Sequence, residues 1–407
     1  MHEKREGLSY WNTAAPMPEF EALRQAPDVD VVVVGGGVTG ITAAHLMKQA
    51  GLRVALLEQH RCGTGQTGRS TAHLTAVTDV PLVRLVERLG AEQARRLWDA
   101  GFAAISRVRA EVRDQRINCD FAWVRGCLHA PVDQDARVAR IALTNEASIA
   151  NALGINAAYV DHVPGLGRPG VWFEGQARLH PLRYLSVLLD RIHGDGSYVF
   201  EHTPVDGIDV EHMTVTVAGI TIPASRIVLA THVPPRWLPT TDETRPAVDV
   251  NTSYVVAGTA PVGVVEEGLY WEHRGAPYEY LRVDRQERHD FVVFGGLDHA
   301  GDEAAASADR FARLERRLAQ RIPGVRIEHR WSGQVAEPAD ERPYIGEVAD
   351  GLFLATGYGG NGMTFGTLAG MMAADAVRGV DNPWRDLFHV NRSRVVDGPW
   401  PALTEAS

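Results

Sequence analysis

A mixed α/β and α+β fold, Rossmann-like in one part and antiparallel in another, is what this sequence predicts. Three observations predict it. First, Val29-Asp-Val-Val-Val-Val-Gly35-Gly-Gly37-Val38-Thr39-Gly40 runs from an apolar strand through a glycine loop into a helix-like stretch, Ile41 to Ala50. A second apolar strand, Val54 to Leu57, ends at Glu58. Strand, Gly-x-Gly-x-x-Gly loop, helix, strand and acid form the order of a dinucleotide-binding unit. Second, residues from about Val248 to Asp298 supply alternating strands with no helix between them, the pattern of an antiparallel sheet. Third, Gly351 to Thr364 repeats the strand and glycine loop, and a small-residue helix follows from Gly366 to Val377.

Each part of the first unit has a physical task. Gly35 allows the tight turn, Gly37 lets backbone approach a pyrophosphate, and Gly40 lets helix and strand pack closely. The helix start offers free N–H groups and a positive dipole end. Glu58, about 20 residues past the loop, is placed for ribose hydroxyls. The second strand–glycine–helix device suggests one long cofactor gripped at both ends.

The bulk numbers fit. A chain of 407 residues is long for one core, so two connected units are expected. Hydrophobic content of 45% and charged content of 23% are those of a soluble globular protein. The net charge of −10 argues against nucleic acid and anionic membrane as partners. The first six residues are charged and contain no apolar signal-peptide core, and no apolar run reaches membrane-spanning length. Cys62, Cys119 and Cys127 make no disulfide framework, so a reducing cytoplasm is the expected location. Cys127-Leu-His129 has no later partner pair, and no metal site is expected.

Taken in order, Ser9 to Pro27 is a lead-in whose Tyr10 and Trp11 should tuck against the body. Arg61 to His73 is dense in Gly, Ser and Thr and presents hydroxyls and amides at close range, which suits a pyrophosphate. Pro81 to Arg116 has the spacing of two helices, Phe121 to Pro131 reads as a hairpin, and Asp135 to Leu153 as a further helix. Gly170 to Phe173 is a short strand, and His180-Pro181 opens a helix through Ile192. Short strands follow at Ser197–Glu201, Val205–Val210, Thr214–Val217 and 226–231. Val233-Pro234-Pro235, with Pro239, marks a crossing between units. The antiparallel region reads as Ser253–Gly258, Gly268–Glu272, Tyr278–Val283 and Phe291–Gly296, and Ala304 to Arg321 as an amphipathic helix.

Together these residues resemble the D-amino-acid oxidase/glycine oxidase superfamily of FAD enzymes. The resemblance rests on Gly35 to Gly40, Glu58, Gly65-Gln66-Thr67-Gly68-Arg69-Ser70-Thr71-Ala72, Leu229-Ala230-Thr231, Pro343-Tyr344-Ile345-Gly346 and Leu354 to Tyr358. Ser9-Tyr10-Trp11 and Gly360 to Gly366 are similar to a subgroup that carries a C-terminal Rieske iron–sulfur domain. No paired C-x-H and C-x-x-H occurs here, so that relay is expected to be missing.

The resemblance implies an FAD-binding domain (1–80, 140–235, 335–395) interleaved with a substrate domain (81–139, 236–334). FAD would contact Gly35, Gly37, Val38, Thr39, Gly40, Glu58, Gln59, Arg61, Thr67, Gly68, Arg69, Ser70, Thr71, Ala72, Val205, Ala230, Thr231, Gly357, Gly360, Asn361, Gly362, Met363 and Thr364. It also implies oxidation of an amine or amino-acid-like substrate: a C–H beside nitrogen gives a hydride to flavin N5 and an imine forms. O2 or another acceptor would take the electrons.

Three departures matter. Aligned on Gly333 and Gly346, the arginine that clamps a substrate carboxylate in glycine oxidase-like members falls on Val335. A simple α-amino acid would then leave a carboxylate unpaired. No lysine lies beyond Lys48 to activate oxygen, so oxidase and dehydrogenase both stay open. No cysteine lies in the C-terminal half, so a cysteinyl flavin is excluded and non-covalent FAD is expected. His73, after Ser70, stands in the Ser-x-x-His context that carries covalent flavin in the dimethylglycine oxidase branch and is the candidate covalent site.

Substrate-side candidates are Tyr254, His273, Tyr278, Tyr280, Arg282 and Tyr358. Tyr278, Tyr280 and Arg282 share one face of a strand at period two. No acid or base is assigned, because hydride loss from a neutral amine requires none. A flavin monooxygenase-type enzyme of specialised metabolism and a catalytically silent FAD-bound subunit are the alternatives.

Overall fold

The computed structural model describes residues 5–131, 134–238, 245–273, 278–301 and 307–392. Two sheets organise it, with a small three-stranded sheet (Gly207–Asp209, Thr214–Val217, Ile220–Pro223) at one side.

The first sheet has six strands in the order Tyr344–Ala349, Leu352–Thr356, Arg226–Leu229, Val31–Val34, Val54–Leu57, Tyr198–Phe200. All neighbours are parallel except the Tyr344–Ala349 pair. Val31–Val34 is buried throughout, as a central parallel strand covered on both faces must be. The helices Val38–Gln49 and Gly362–Val377 pack against each other beside this sheet. Small residues at Gly366 and Gly370 allow the approach: a Cβ on Gly370 would lie 2.7 Å from the Thr42 Cβ.

The second sheet has ten strands. Its path runs Arg5–Glu6, Arg326–Pro338, Val248–Ala260, Asp290–Ala300, Glu279–Arg285, Gly268–Glu272, Ala122–His129, Gly170–Arg178, His73–Leu74, with Ala157–Val160 also on Gly170–Arg178. Most pairs are antiparallel; Arg5–Glu6 with Arg326–Pro338 and Gly268–Glu272 with Ala122–His129 are parallel. One face is sealed by the Ser307–Arg321 helix, whose Phe311, Leu314 and Leu318 join Tyr254, Val256 and Phe294 in a separate core.

Several expectations need correction. Phe121 to Pro131 is no hairpin but one strand, Ala122–His129, paired on both sides. Its Gly126 is not a turn residue: the Trp271 ring crosses it, and a Cβ there would meet that ring. The Gly170 strand runs on to Arg178, and the Val205 strand contracts to Gly207–Asp209. Ala157–Val160 and Gly170–Arg178 lie in the 140–235 span yet pair into the ten-stranded sheet. Pro239 and residues 304–306 lie outside the described residues. The helices Leu82–Leu89, Ala91–Asp114 and Pro181–Ile192 form where the spacing places them, and the His180 ring accepts from Arg183 N as cap.

Candidate active site

A cavity of about 2060 Å³ opens between the carboxyl ends of the parallel strands and the uncovered face of the ten-stranded sheet. Val34, Leu57 and Ala230 contribute from the first sheet, and Ser253, Val255, Trp271, Tyr280 and Val335 from the second. Outside the carboxyl ends of parallel strands is where ligands of open α/β sheets bind.

At one end lies the glycine loop. Gly35 has φ +110°, and a Cβ there would run into the Ala230 carbonyl. A Cβ on Gly40 would overlap the Gly35 carbonyl oxygen, so Gly40 serves packing and is not on the wall. Gly37 caps the following helix without a side-chain bond, which leaves the helix start open toward the cavity. Val38 N donates to Thr67 Oγ1 (3.0 Å), tying the helix start to the Gln66–Arg69 turn. The Glu58 carboxylate accepts from Gly36 N (2.7 Å) and His60 N (2.8 Å) and is fixed at the strand end.

The wall continues through Gln59, Thr67, Arg69, Ser70, Thr71 and Ala72, and includes Val205, Ala230 and Thr231. The lead-in clamps this loop. Trp11 Nε1 donates to Ser70 O (2.7 Å) and Trp331 Nε1 to Arg69 O (2.7 Å). Asn12 Nδ2 donates to Gly68 O (3.3 Å). Gly68 is buried beneath and does not reach the cavity. Arg61 is also off the wall, held by Glu19, Pro18 O and Glu201.

At the other end the Gly362–Val377 helix begins at the cavity. Asn361 leaves its N-terminus uncapped and instead donates to Val77 O (2.9 Å) and Thr75 O (3.3 Å). Gly360, Asn361, Gly362 and Met363 line the wall; Thr364 accepts from Thr75 N beneath it, and Gly357 packs on Val248 and Pro338.

Of the substrate-side candidates, Tyr278, Tyr280 and Tyr358 line the cavity. Tyr278 donates to Asp79 Oδ1 (3.3 Å), Tyr280 shares a hydrogen bond with Ser253 Oγ (2.7 Å), and Tyr358 with Thr39 Oγ1 (3.0 Å). Three candidates are elsewhere. Tyr254 turns to the opposite face, bonds His299 Nε2 (3.0 Å) and meets Phe311 edge-on, because it pairs through Gly296 with Glu279, one residue out of step with Tyr280. His273 is buried beside His129, whose carbonyl accepts from His273 N. Arg282 is 1% exposed and structural: it binds Asp284 through two nitrogens, donates to Thr71 O, Ala72 O and Leu179 O, and lies 5.0 Å over the Trp11 ring.

Ala72 has φ +55°, a strained backbone for a non-glycine residue, and Arg282 anchors its carbonyl. His73 follows on the wall, with Nδ1 on Thr71 Oγ1 (2.8 Å). Burial and then the Arg282 charge push its imidazole down to about 3, and burial alone takes His232 down to about 4. Both rings are neutral at pH 7.

Sequence reasoning missed three carboxylates. Asp79, Asp298 and Glu337 all face the cavity, which accounts for their exposed surface. Asp79 accepts from Gly360 N (2.9 Å) and from Tyr278, Glu337 accepts from Asn251 Nδ2 (2.8 Å), and the Ser253 hydroxyl offsets part of the effect of burial on Asp298. Burial raises all three carboxyls. Burial, then repulsion from Asp79, takes Asp298 up to about 6; burial, then Asp79 and Asp298, takes Glu337 up to about 7. They come from three separate segments, so no local motif announces them. Among the described residues no group of three His, Cys, Asp or Glu is arranged to hold a metal.

The sequence model of the family described as FAD dependent oxidoreductase (DAO) matches residues 30–376. The chain belongs to this family. A Bacillus subtilis (strain 168) protein named for a Rieske 2Fe-2S iron-sulfur protein is 28% identical over 400 residues, spanning 96% of this chain and 76% of that protein. The gamma-glutamylputrescine oxidoreductase of Escherichia coli (strain K12) is 24% identical over 389 residues, spanning 91% and 88%. In fold the chain is similar to glycine oxidase from Geobacillus kaustophilus, with TM-score 0.71 and 21% identity over 90% of this chain and 100% of that one.

FAD is the family's cofactor, and the residues present fit it. Two helix starts open on one cavity, the first with Val38 N on Thr67 and the second uncapped, and the first sits over a glycine cradle that side chains would fill. Val335, where the resemblance would place a carboxylate-binding arginine, is also on the wall.

Proposed function

We propose that this FAD-dependent oxidoreductase oxidises the C–N bond of a small amine or amine-like substrate. One observation carries the reading: the cavity that holds the Gly35–Thr39 cradle also holds Tyr278, Tyr280, Tyr358 and the start of the Gly362 helix, so cofactor and substrate would share one space. When bound, FAD would supply the two-electron acceptor for a hydride lost from the C–H beside the substrate nitrogen, a loss that would leave an imine.

The chain's own residues do the rest. Gly35, Gly37, Val38 and Thr39 would hold the pyrophosphate, Glu58 and Gln59 the ribose, and Thr67 and Arg69 to Ala72 the chain between. The helix start at Gly360–Met363 would favour electron density placed at its mouth. Tyr278, Tyr280 and Tyr358 would shape the substrate end and exclude water. The division into a cofactor domain (1–80, 140–235, 335–395) and a substrate domain (81–139, 236–334) belongs to this reading, except that Ala157–Val160 and Gly170–Arg178 go with the ten-stranded sheet.

The test is product analysis. Flavin-loaded protein incubated with an amine panel and an artificial electron acceptor should release an aldehyde or ketone, trapped as a hydrazone, in step with acceptor reduction. An oxygenated product or NADPH consumption would contradict the reading in favour of a monooxygenase. Acid precipitation should leave all flavin in the supernatant; flavin in the pellet would place a covalent link on the chain, with His73 the first residue to examine.

A further inference from the structure

Oxidation of an amine has a prior requirement. Below about pH 10 an alkylamine in water is an ammonium, and its nitrogen has no lone pair to assist loss of hydride from the adjoining carbon. A protein working near neutral pH needs a group that takes this proton. His73 and His232 are poor acceptors, held down to about 3 and about 4. The wall offers another acceptor where the cofactor end of the cavity meets the substrate end.

Asp79 stands at that junction. Its Oδ2 accepts from Gly360 N (2.9 Å), in the turn before the Gly362–Val377 helix, and its Oδ1 accepts from the Tyr278 hydroxyl (3.3 Å). Tyr278 comes from the other side, just ahead of the Glu279–Arg285 strand. The glycine turn is shaped around the carboxylate: a Cβ on Gly360 would lie 2.5 Å from Asp79 Oδ2, and Gly359 has φ +56°. Bonds on either side hold the segment. Asn361 Nδ2 donates to Thr75 O and Val77 O, Thr78 Oγ1 donates to Val80 O (2.9 Å), and Trp98 Nε1 donates to Thr78 Oγ1 (3.2 Å). With Oδ2 locked on Gly360, Oδ1 is aimed at Tyr278. Supporting bonds of this kind are what fix a reactive group in working geometry.

The direction of the Tyr278 hydrogen bond sets its chemistry. An ionised carboxylate only accepts, so the hydroxyl proton points at Asp79 and the Tyr278 oxygen keeps its lone pairs for another donor. Tyr278 lines the cavity, where a substrate N–H would be that donor. The surroundings favour proton uptake. Burial raises the Asp79 carboxyl, with Gly360 and Tyr278 opposing. Asp298 and Tyr280 act on Tyr278, and Asp79 acts in turn on Asp298 and Glu337. Arg69, Arg310 and Arg313 share the cavity, but among the described residues Asp79 bonds Gly360 and Tyr278 alone, so no cation holds its charge.

We propose that Tyr278 and Asp79 form a proton relay that neutralises the substrate ammonium before oxidation, Tyr278 touching the nitrogen and Asp79 acting behind it as the positioning residue. The inference rests on the amine-oxidation reading. The step balances. The N–H bond breaks and a new Tyr278 O–H bond forms while the old Tyr278 proton passes to Asp79 Oδ1. The nitrogen keeps its electron pair, nothing is oxidised, and Asp79 becomes a neutral carboxyl. In water an ammonium holds its proton more tightly than a carboxylic acid does. In a site closed from water both charged partners lose solvation, and the neutral pair gains.

The test uses flavin-loaded protein without oxygen and two amines. Butylamine reports the limiting rate of flavin bleaching against pH. tert-Butylamine has no C–H beside nitrogen, so it binds without reacting. Asp79→Asn should slow bleaching at least about 50-fold at pH 7, where fewer than about one butylamine in a thousand is neutral, and should recover to within about fivefold of the native rate at pH 10. Tyr278→Phe should behave the same way and leaves Gly360 on Asp79, which keeps the test intact if D79N fails to hold flavin. D298N should keep the native profile. Infrared difference spectra at pH 8 should show a carboxylic-acid C=O band when native protein binds tert-butylamine, and D79N should lack it. A D79N rate equal to the native one at pH 7, a loss as large at pH 10 as at pH 7, or a loss rescued at pH 10 in D298N instead overturns the inference and leaves amine oxidation standing. So does absence of the infrared band from the native protein or its persistence in D79N. Failure of butylamine and every other amine to bleach the flavin at any pH overturns both.

Discussion

At the scale of single residues, Arg282 shows how a side chain can matter to a cavity it never enters. Its guanidinium holds the carbonyls of Thr71 and Ala72 and is neutralised by Asp284 in a buried setting. Arg282→Met would leave Asp284 with Arg178 as its remaining cation and would free the strained Ala72. Breaking a buried pair costs about 3–5 kcal/mol. Thermal unfolding should show a large drop in Tm, with flavin lost from whatever folds, while R282K recovers only part of either. A variant that keeps both Tm and flavin would contradict this role. Gly35 is the second such residue. Gly35→Ala puts a Cβ into the Ala230 carbonyl at φ +110°, and overpacking of this kind costs about 1–3 kcal/mol. The variant should purify with little or no flavin.

At the scale of elements, the site is assembled from pieces that differ in how openly the sequence announces them. The Val31–Val34 strand, its glycine loop and Glu58 are contiguous, and each residue type is demanded by local geometry, so they are legible from residues alone. The Gly362 helix is legible for the same reason. The ten-stranded sheet is harder, because which residues face the cavity depends on register. Tyr254 looks like a wall residue until its cross-strand pairing is known; Ser253 and Val255 take the wall and Tyr254, one residue out of step with Tyr280, the outer core. Arg282 shares parity with Tyr280 but reaches beneath the Thr71–Ala72 loop. Asp79, Asp298 and Glu337 carry no local signature at all; only tertiary convergence groups them. The short Tyr10–Ala14 helix is an element whose worth can be measured. Trp11→Phe removes the indole bond to Ser70 O, a loss of about 1 kcal/mol. Flavin affinity, followed by fluorescence on dilution, should weaken several-fold with little change in unfolding temperature.

At the scale of the whole molecule, the charge of the cavity makes pH the informative variable. In the folded protein Asp298 and Glu337 are raised to about 6 and about 7, above the ordinary carboxylate range. The folded state therefore holds more protons than the unfolded one between about pH 4.5 and 7, and its stability falls as pH rises through that window. The Tm of the protein without substrate should decline from pH 5 to pH 8, and D298N/E337Q should flatten that decline.

The central claim is that one cavity holds FAD and an oxidisable amine together. The most direct measurement is the visible spectrum of the purified protein, recorded without oxygen while amines, amino acids and hydroxy acids are added in turn. The account predicts flavin bands that bleach with amines. Flavin that is present and never bleaches, or protein that stays colourless after FAD is supplied, would contradict it.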